Sequence, residues 1–337
     1  MKIWHFCLLL LGVGLLLFSV GCAPETSEAD QESEEIEEVG EKTDVEELVL
    51  RSATDASGDE WIHIFKQELE KHSDGKITVD NYPGGQLGSF SDMLDQTRDG
   101  SLDFYMHGSE VATVVDDFLF FDLPFLFEDR DQAFNSITGT VGKKIAEKFP
   151  ERNLRVLTFL DAGFRQITNS ARPIVTPSDL EGLRIRTPVT DLRVKTFETF
   201  GAMATPMDVS ELYTALSQGA VDGQENPLFI IKLFSFYEVQ DYLSLSNHVY
   251  SVNGIVMNED KWQELSTEQQ NIIKAAAEES AKIIYQENVD EDNERLEYLK
   301  EMGLQVNEVD YEAFVEIVEP IWDEYRDQWA EYLDIIE

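Results

Sequence analysis

The chain has 337 residues, in which 67 aspartates and glutamates outnumber 26 lysines and arginines and give a net charge of −41. This excess of acids argues against binding to nucleic acid or to anionic lipid surfaces, because both need basic patches. If the ligand is an anion, the field of the protein repels it, so the binding site must hold specific local cations.

The N-terminal residues 1–21 have the pattern of an export signal. Lys2 precedes an apolar run from Ile3 to Phe18, and small residues follow before Cys22. A run of about 16 apolar residues is short for a membrane-spanning helix, which needs roughly 20, although a retained N-terminal anchor stays an alternative. The segment resembles a bacterial lipoprotein signal. That resemblance implies that Cys22 becomes the lipidated first residue and anchors the protein to the outer face of the cell membrane.

The chain has two cysteines, and Cys7 lies inside the signal. Cleavage therefore leaves Cys22 alone, so no disulfide within one chain and no cysteine zinc site are expected. Residues 22–47 are predicted to be an extended, self-repelling tether, because Glu25 to Glu47 contain twelve acidic residues and one lysine. An acidic docking segment is the alternative. About 290 residues remain, enough for one large domain or two medium ones.

Strands and helices alternate along the rest of the chain, which favours an α/β architecture. After a strand at Leu48–Leu50, Ser57 and Glu60 have the spacing of a capping box, and the helix that they open ends at Gly75. Further strands are predicted at Ile77–Val79, Leu102–Met106, Leu154–Leu160 and Leu183–Arg186, and helices at Met93–Arg98 and Ser210–Gln218.

A long helix is predicted near the C-terminus. A second capping box at Ser266 and Gln269 starts a helical pattern that runs to Met302. About 36 helical residues would span roughly 54 Å, more than the diameter of one domain. The helix is therefore expected to brace two lobes, with a break near Asn288–Asn293 as the alternative.

Familiar catalytic and metal-binding motifs are missing. The sequence has no G-x-S-x-G, no complete P-loop, and no paired metal-ligand spacing among its five histidines. Carboxylates are too numerous for any pair to be singled out for acid–base chemistry. The sequence thus predicts a non-enzyme without cofactor or metal, and a surface enzyme acting on organic acids is kept as an alternative.

Arginines stand out against the acidic background. Arg165 follows a predicted strand, and alternation along the next strand puts Arg184 and Arg186 on one face. The planar guanidinium suits a carboxylate because it can donate two parallel, charge-assisted hydrogen bonds. Taken alone, each arginine is more often a partner in a surface ion pair.

The sequence segments around these arginines resemble, in order and spacing, those of the solute-binding subunits of TRAP transporters, the DctP family. They are Gly182–Pro188, Ala204–Met207, Ser210–Leu216 and Val221–Pro227, with further matches at Tyr82–Pro83, Gln86–Gly88, Asp99–Asp103, Leu123–Phe125, Phe236–Gln240 and Ser246–His248. The resemblance covers nearly all of residues 48–330. The block Asp222–Pro227 is its most specific part and disfavours an ABC-type binding lipoprotein.

The resemblance implies a two-lobed, periplasmic-binding-protein-like α/β fold with an interlobe cleft and a long bracing helix. Lobe I is expected to comprise residues 48–162 and 252–290, and lobe II residues 163–251 and 291–337. The implied function is that of an extracytoplasmic receptor, which captures a small organic acid (a C4-dicarboxylate, uronate or similar carboxylate) for TRAP membrane permease subunits. An extracytoplasmic ligand sensor of a signalling system is the alternative.

The resemblance also implies a binding site. Arg186 is expected to form a bidentate salt bridge with the ligand carboxylate, and Arg165 and Asn226 to supply further polar contacts. Glu225 is expected to hold an arginine or a backbone amide rather than meet an anionic ligand.

The first lobe is expected to contribute Thr54, His107 and Ser109. Some family members that bind larger sugar acids have an aromatic residue where this chain has Val209, which disfavours a ligand like sialic acid. His248 either lines the cleft or is a satisfied interior histidine.

Overall fold

The computed structural model describes residues 45–336. The predicted signal, Cys22 and all but the last three residues of the predicted tether lie outside the described residues. Residues 45–47 are irregular, and the carbonyl of Glu46 accepts a hydrogen bond from the side chain of Gln269 at 3.4 Å. Within residues 45–336, no helix combines the length and the apolar character needed to cross a membrane.

The described chain confirms the predicted alternation of strands and helices. Its strands are β1 (Leu48–Ala53), β2 (Ile77–Tyr82), β3 (Phe104–His107), β4 (Leu154–Asn169), β5 (Arg184–Thr187), β6 (Met203–Pro206), β7 (Gly223–Pro227), β8 (Tyr242–Leu245), β9 (Tyr250–Asn258) and β10 (Gln305–Glu308). Its α-helices are α1 (Ala56–His72), α2 (Phe90–Asp99), α3 (Arg130–Thr138), α4 (Thr140–Ala146), α5 (Asp191–Thr199), α6 (Val209–Ser217), α7 (Leu228–Leu233), α8 (Glu259–Glu264), α9 (Thr267–Glu301), α10 (Tyr311–Ile317), α11 (Glu319–Tyr325) and α12 (Ala330–Leu333).

The strands form two groups that share β4. The order along the sheet is β2-β1-β3-β9-β4-β7-β5-β6, and β8 pairs with both β4 and β10. The strands β1, β2 and β3 are parallel, as are β5, β6 and β7, whereas β4 runs antiparallel to β9, β7 and β8. The first group is β1, β2, β3 and β9, and the second is β5, β6, β7, β8 and β10. Helices flank this mixed sheet, as expected for an α/β fold.

The strand β4 changes partners midway. Its residues up to Phe164 pair with β9, and from Arg165 onward it pairs with β7. A register shift separates Asp161 from Gly163, whose φ is +84°. Side chains other than glycine rarely adopt this positive φ, so the bulge favours glycine at this position. Arg165 therefore lies within a 16-residue strand, and the expectation that it follows a strand is wrong.

The helix α9 is continuous over 35 residues, so the alternative of a break near residue 288 is wrong. Ser266 and Gln269 form the predicted capping box at its N-terminus. Its inner face buries small and apolar side chains against α1 and β4, among them Ile273, Ala277 and Ile284. Further along, the amide of Asn288 donates to the carbonyl of Asp161 at 2.8 Å, which fixes the helix to the bulge of β4.

The N-terminus of α1 differs from the prediction of a capping box at Ser57. The cap is Asp55, whose carboxylate accepts from the backbone N–H of Gly58 at 2.9 Å and from the hydroxyl of Ser57 at 2.6 Å. Two strong N-cap residues stand two positions apart here. The upstream one caps the helix because Ser57 is already buried within its first turn.

Candidate functional site

A cleft opens where the two strand groups meet. It encloses about 650 Å³ of atom-free space, counting the part open to solvent, which suits a small molecule. The residues that line it are Ser57, Phe90, Gly108, Ser109, Glu110, Ala162, Arg165, Arg186, Pro188, Val189, Met207, Asp208, Val209, Asn226, Pro227, Phe229, Ile230, Phe234, Ser251 and Asn253.

Arg186 reaches this cleft from the end of β5. Its side chain is buried, and both Nε and Nη2 donate to the carbonyl of Met207, at 2.9 and 2.7 Å. Within residues 45–336, no acceptor bonds to Nη1 and no carboxylate lies within 4.0 Å of the guanidinium. The edge formed by Nη1 and Nη2 is therefore open, and it has the geometry for a bidentate carboxylate.

Burial, together with the neighbouring charge of Arg165, lowers the pKa of Arg186 to about 10. The guanidinium thus keeps its positive charge at neutral pH. Arg184, two residues earlier on the same strand, has a different role. Its guanidinium pairs with Asp222 at 2.6 Å and is substantially exposed to solvent, outside the cleft lining.

Arg165 lines the cleft from β4, but most of its donors are already used. Nε and Nη2 bind the carboxylate of Glu225, Nη2 also bonds to Oδ1 of Asn226 at 2.9 Å, and Nη1 donates to Ser251 at 3.0 Å. One hydrogen of Nη1 remains for a ligand. The amide of Asn226 is fixed as well, because its Nδ2 donates to Gln224 at 2.5 Å and keeps one further hydrogen.

Glu225 is fully buried behind Arg165 and does not line the cleft. It also accepts from Nη1 of Arg193 at 2.9 Å and pairs with Nε2 of His248 at 3.0 Å. Burial alone would raise the pKa of Glu225, but the charges of Arg165 and Arg193 outweigh it and hold the pKa well below its ordinary value. The position of Glu225 matches the expected role of holding an arginine.

His248 lies in the interior, away from the cleft lining. Its Nδ1 bonds to the hydroxyl of Ser246 at 2.8 Å, and its ring packs edge-on against Phe197. Burial lowers the pKa of His248, so the ring is neutral at pH 7. Of the two readings of this residue, the geometry matches a satisfied interior histidine.

These side chains form what we call the arginine cluster, made of Arg165, Arg186, Arg193, Glu225 and Asp122. All five are buried, and Arg193 bonds to Asp122 at 2.5 Å. Three arginines face two carboxylates, so the cluster carries one positive charge without a counterpart among its own members. A buried charge is costly unless it is paired. The cluster is therefore suited to one anionic group delivered to Arg186.

The opposite wall comes from the segment after β3. Ser109 is half-buried there and lines the cleft as predicted, beside Glu110, whose carboxyl is buried. Oε1 of Glu110 accepts from the hydroxyl of Tyr105 at 3.0 Å, and Oε2 accepts from the N–H of Gly108 at 3.0 Å. Burial raises the pKa of Glu110 to about 7.

Two expected contacts from this wall do not reach the cleft. Thr54 is fully buried, where its hydroxyl bonds to Asp59 and accepts from Asn81 at 2.9 Å. His107 is also fully buried, and its ring packs edge-on against Phe118 at 5.2 Å. The expected ligand contacts at Thr54 and His107 are therefore corrected: both side chains point into the protein interior.

Several site residues escaped the sequence reasoning. Arg193 and Asp122 lie in sequence segments that contain no local motif. Glu110 is one of 67 acidic residues, and nothing in the sequence distinguishes it from the others. Aromatic side chains that line the cleft, such as Phe90 and Phe229, belong to no motif that the sequence analysis used. Burial of a charged residue would have been the signal, and it becomes visible once the fold is known. Within residues 45–336, no group of three or more His, Cys, Asp or Glu could hold a metal ion.

Known proteins show what this geometry belongs to. Residues 51–328 match the family described as bacterial extracellular solute-binding protein, family 7, or DctP. The 2,3-diketo-L-gulonate-binding periplasmic protein YiaO of Escherichia coli K12 is 34% identical over 254 residues, which cover 74% of this chain and 77% of that protein. The sialic acid-binding periplasmic protein SiaP of Vibrio cholerae is 32% identical over 259 residues, covering 76% and 80%.

Solved structures agree with the sequence relatives. A TRAP periplasmic solute-binding protein from Polaromonas sp. JS666, bound to D-erythronate, superposes with a TM-score of 0.81 at 31% identity, covering 86% of this chain and 98% of that one. The sugar acid binding protein DctPAm from Advenella mimigardefordensis, in complex with galactonate, gives a TM-score of 0.81 at 32% identity, covering 87% and 97%.

The family match spans most of the chain, and the structural neighbours share its two-lobed α/β architecture. They are substrate-binding receptors of TRAP transporters, which favours that function over a signalling sensor or an ABC-type lipoprotein. The chain belongs to the DctP family of extracellular solute-binding proteins, the receptors that serve TRAP transporters.

Proposed function

We propose that this receptor captures a small organic acid, a C4-dicarboxylate, uronate or related carboxylate, by pairing it with Arg186, and hands it to TRAP membrane permease subunits. The open edge of Arg186, in a cluster with one excess positive charge, carries the proposal. Hydrogen bonds to charged groups contribute about 1.5–3 kcal/mol each. Arg165, Asn226 and Ser109 add polar contacts from the same cleft.

Ligand contact with both lobes favours the closed state, as in hinge closure around a bound solute. We place lobe I at residues 48–162 and 252–290 and lobe II at residues 163–251 and 291–337. The change of partners in β4 near Gly163 supports the first boundary, and the unbroken α9 supports a brace that crosses from one lobe to the other.

The proteins that resemble this chain support a carboxylate ligand. YiaO is named for 2,3-diketo-L-gulonate, and the solved neighbours hold D-erythronate and galactonate. Each of these molecules carries a carboxylate. Val209 lines the cleft at the position where some family members that bind larger sugar acids have an aromatic residue, and this difference supports a ligand smaller than sialic acid.

We propose that the ligand leaves the cleft unchanged, so the protein is not an enzyme and needs no cofactor. A bound acid incubated with the protein should be recovered intact when it is analysed by mass spectrometry. A new product in the sample, absent from an incubation with the Arg186→Ala variant, would favour a surface enzyme.

We also propose that lipidation of Cys22 anchors the receptor to the outer face of the membrane through the acidic segment 22–47. Two acyl chains hold a protein stably, whereas one holds it marginally. The full chain expressed in a bacterium should fractionate with membranes, and a Cys22→Ser variant should be released. A membrane-bound Cys22→Ser protein would point to the retained N-terminal segment as the anchor.

A thermal-shift screen tests the ligand class. It compares C4-dicarboxylates, uronates, hydroxy acids and keto acids, and it pairs each sugar acid with a neutral polyol of equal length, such as galactonate with galactitol. Binding to the native state raises Tm. At a ligand concentration of 100 times Kd, the free energy of unfolding increases by about 2.7 kcal/mol. At least one acid should raise Tm while its neutral partner does not. Equal shifts for acid and polyol would overturn the role of Arg186.

A further inference from the structure

The cleft lining contains carboxylates as well as arginines. Arg186 and Arg165 lie on one wall together with Asp208, and Glu110 lies on the other. Glu110 is buried, and within residues 45–336 no Lys, Arg or His nitrogen lies within 4.0 Å of its carboxylate. Burying a carboxylate without a neighbouring cation costs free energy. We therefore expect the carboxylate of Glu110 to have a function in the binding cleft.

The carboxylate is held from behind and leaves acceptor capacity toward the cleft. Tyr105 donates to Oε1 at 3.0 Å, and the N–H of Gly108 is shared between Oε1 and Oε2, at 3.1 and 3.0 Å. An ionised carboxylate has about four lone-pair sites. The remaining sites can accept hydrogen bonds from donors on a ligand.

We propose that Glu110 determines which acids this receptor accepts. Its carboxylate contacts the end of the ligand away from Arg186, where it accepts hydrogen bonds from hydroxyl groups and repels a second carboxylate. The inference rests on the proposed function and narrows its ligand class to hydroxylated monocarboxylates. A dicarboxylate of the same length would place two like charges together in a site of low dielectric, where one of them must take up a proton.

The ionisation of Glu110 sets the conditions of the test. Burial raises its pKa to about 7, so the carboxylate form dominates at pH 8. The titratable groups that act on it are the hydroxyl of Tyr105, whose pKa burial raises well above its ordinary value, and the carboxyl of Asp55. Tyr105 is therefore neutral at pH 8, and Asp55 adds to the repulsion of a second carboxylate.

The experiment measures Kd by calorimetry at pH 8 for pairs of acids with equal carbon chains. Each pair joins an aldonate to its aldarate: erythronate with meso-tartrate, and galactonate with galactarate. At the chain length that binds, the aldonate should bind at least tenfold more tightly. In Glu110→Gln this preference should fall at least threefold, because the amide still accepts from Tyr105 and Gly108 but no longer repels an anion.

Glu151→Gln is the matched control, since it removes one exposed carboxylate outside the cleft lining and should leave the preference unchanged. If Glu110→Gln does not fold, the wild type at pH 6 replaces it, where the preference should also weaken. Equal or tighter binding of the aldarate, no binding by any aldonate, or an unchanged preference in both tests would overturn the role of Glu110. Failure of every organic acid to bind would instead overturn the receptor's proposed ligand class.

Discussion

Arg186→Ala is the substitution that tests the site most directly. It removes the open guanidinium edge and leaves the arginine cluster without its excess charge, so a carboxylate entering the cleft has no partner. Truncating one member of a buried, hydrogen-bonded charge pair costs about 2–5 kcal/mol. At about 1.4 kcal/mol per tenfold, affinity should fall roughly 30-fold to several thousand-fold.

The structure offers two matched variants. Arg184→Ala removes the same charge from the same strand, but its guanidinium pairs with Asp222 away from the cleft, so affinity should change little. Arg186→Lys keeps the charge but loses the fork and one of the two bonds to Met207. It should stay well below the wild type, because a point charge cannot reproduce bidentate pairing.

Calorimetric titration with an acid identified by thermal shift measures all three variants. Unfolding curves are needed alongside, since Arg186→Ala also leaves the carbonyl of Met207 without its donors. A folded Arg186→Ala protein with wild-type affinity would refute the assignment of Arg186 to the ligand. Equal losses in Arg184→Ala and Arg186→Ala would show that the general field, not the cleft geometry, sets affinity.

Three further outcomes concern stability and are measured by urea unfolding. Glu225→Gln should destabilise the protein by about 3–5 kcal/mol, because it leaves buried arginines uncompensated, and a bound acid should restore part of this loss. The pKa of Glu110 is raised from 4.5 to about 7 in the native state. Between these pH values the native carboxyl holds a proton that the unfolded state has released. Its contribution to the unfolding free energy should therefore fall by roughly 3 kcal/mol as the pH rises between these values, and Glu110→Gln should remove this dependence. Gly254→Ala should cost about 1–3 kcal/mol, since a Cβ there would lie 2.4 Å from Nε2 of His107.

Local patterns predicted the strands β1 to β5 and the long helix α9, but not which side chains reach the cleft. The family resemblance implied that His107, at the end of β3, contributes to the binding site. In the structure the ring turns toward Phe118 and β9, and the chain reaches the cleft only after Gly108, through Ser109 and Glu110. Alternation fixes which side chains share a face, but the packing of a second layer decides which face is buried.

The arginines show the same division. The spacing of Arg184 and Arg186 predicted that they share a face of the strand. In the structure Arg184 pairs with Asp222, and Arg186 lines the cleft. Arg193 and Asp122 become part of the site through contacts across 71 residues of sequence, which no window of local pattern contains. The family resemblance predicted Arg186 and Asn226 as site residues, because matching sequence segments reflect a shared tertiary structure that periodicity alone does not reveal.

The acidic surface and the anion site are compatible because they act at different depths. Surface charges are screened over roughly 8 Å at physiological salt, whereas buried charges are screened much less. The excess charge of the arginine cluster lies in the buried region, where its attraction for a carboxylate is strongest. In this structure the charge of Arg186 is already buried without a carboxylate beside it, which costs several kcal/mol. A carboxylate that pairs with Arg186 offsets this cost, so the charge imbalance of the arginine cluster favours an anionic ligand in spite of the acidic surface.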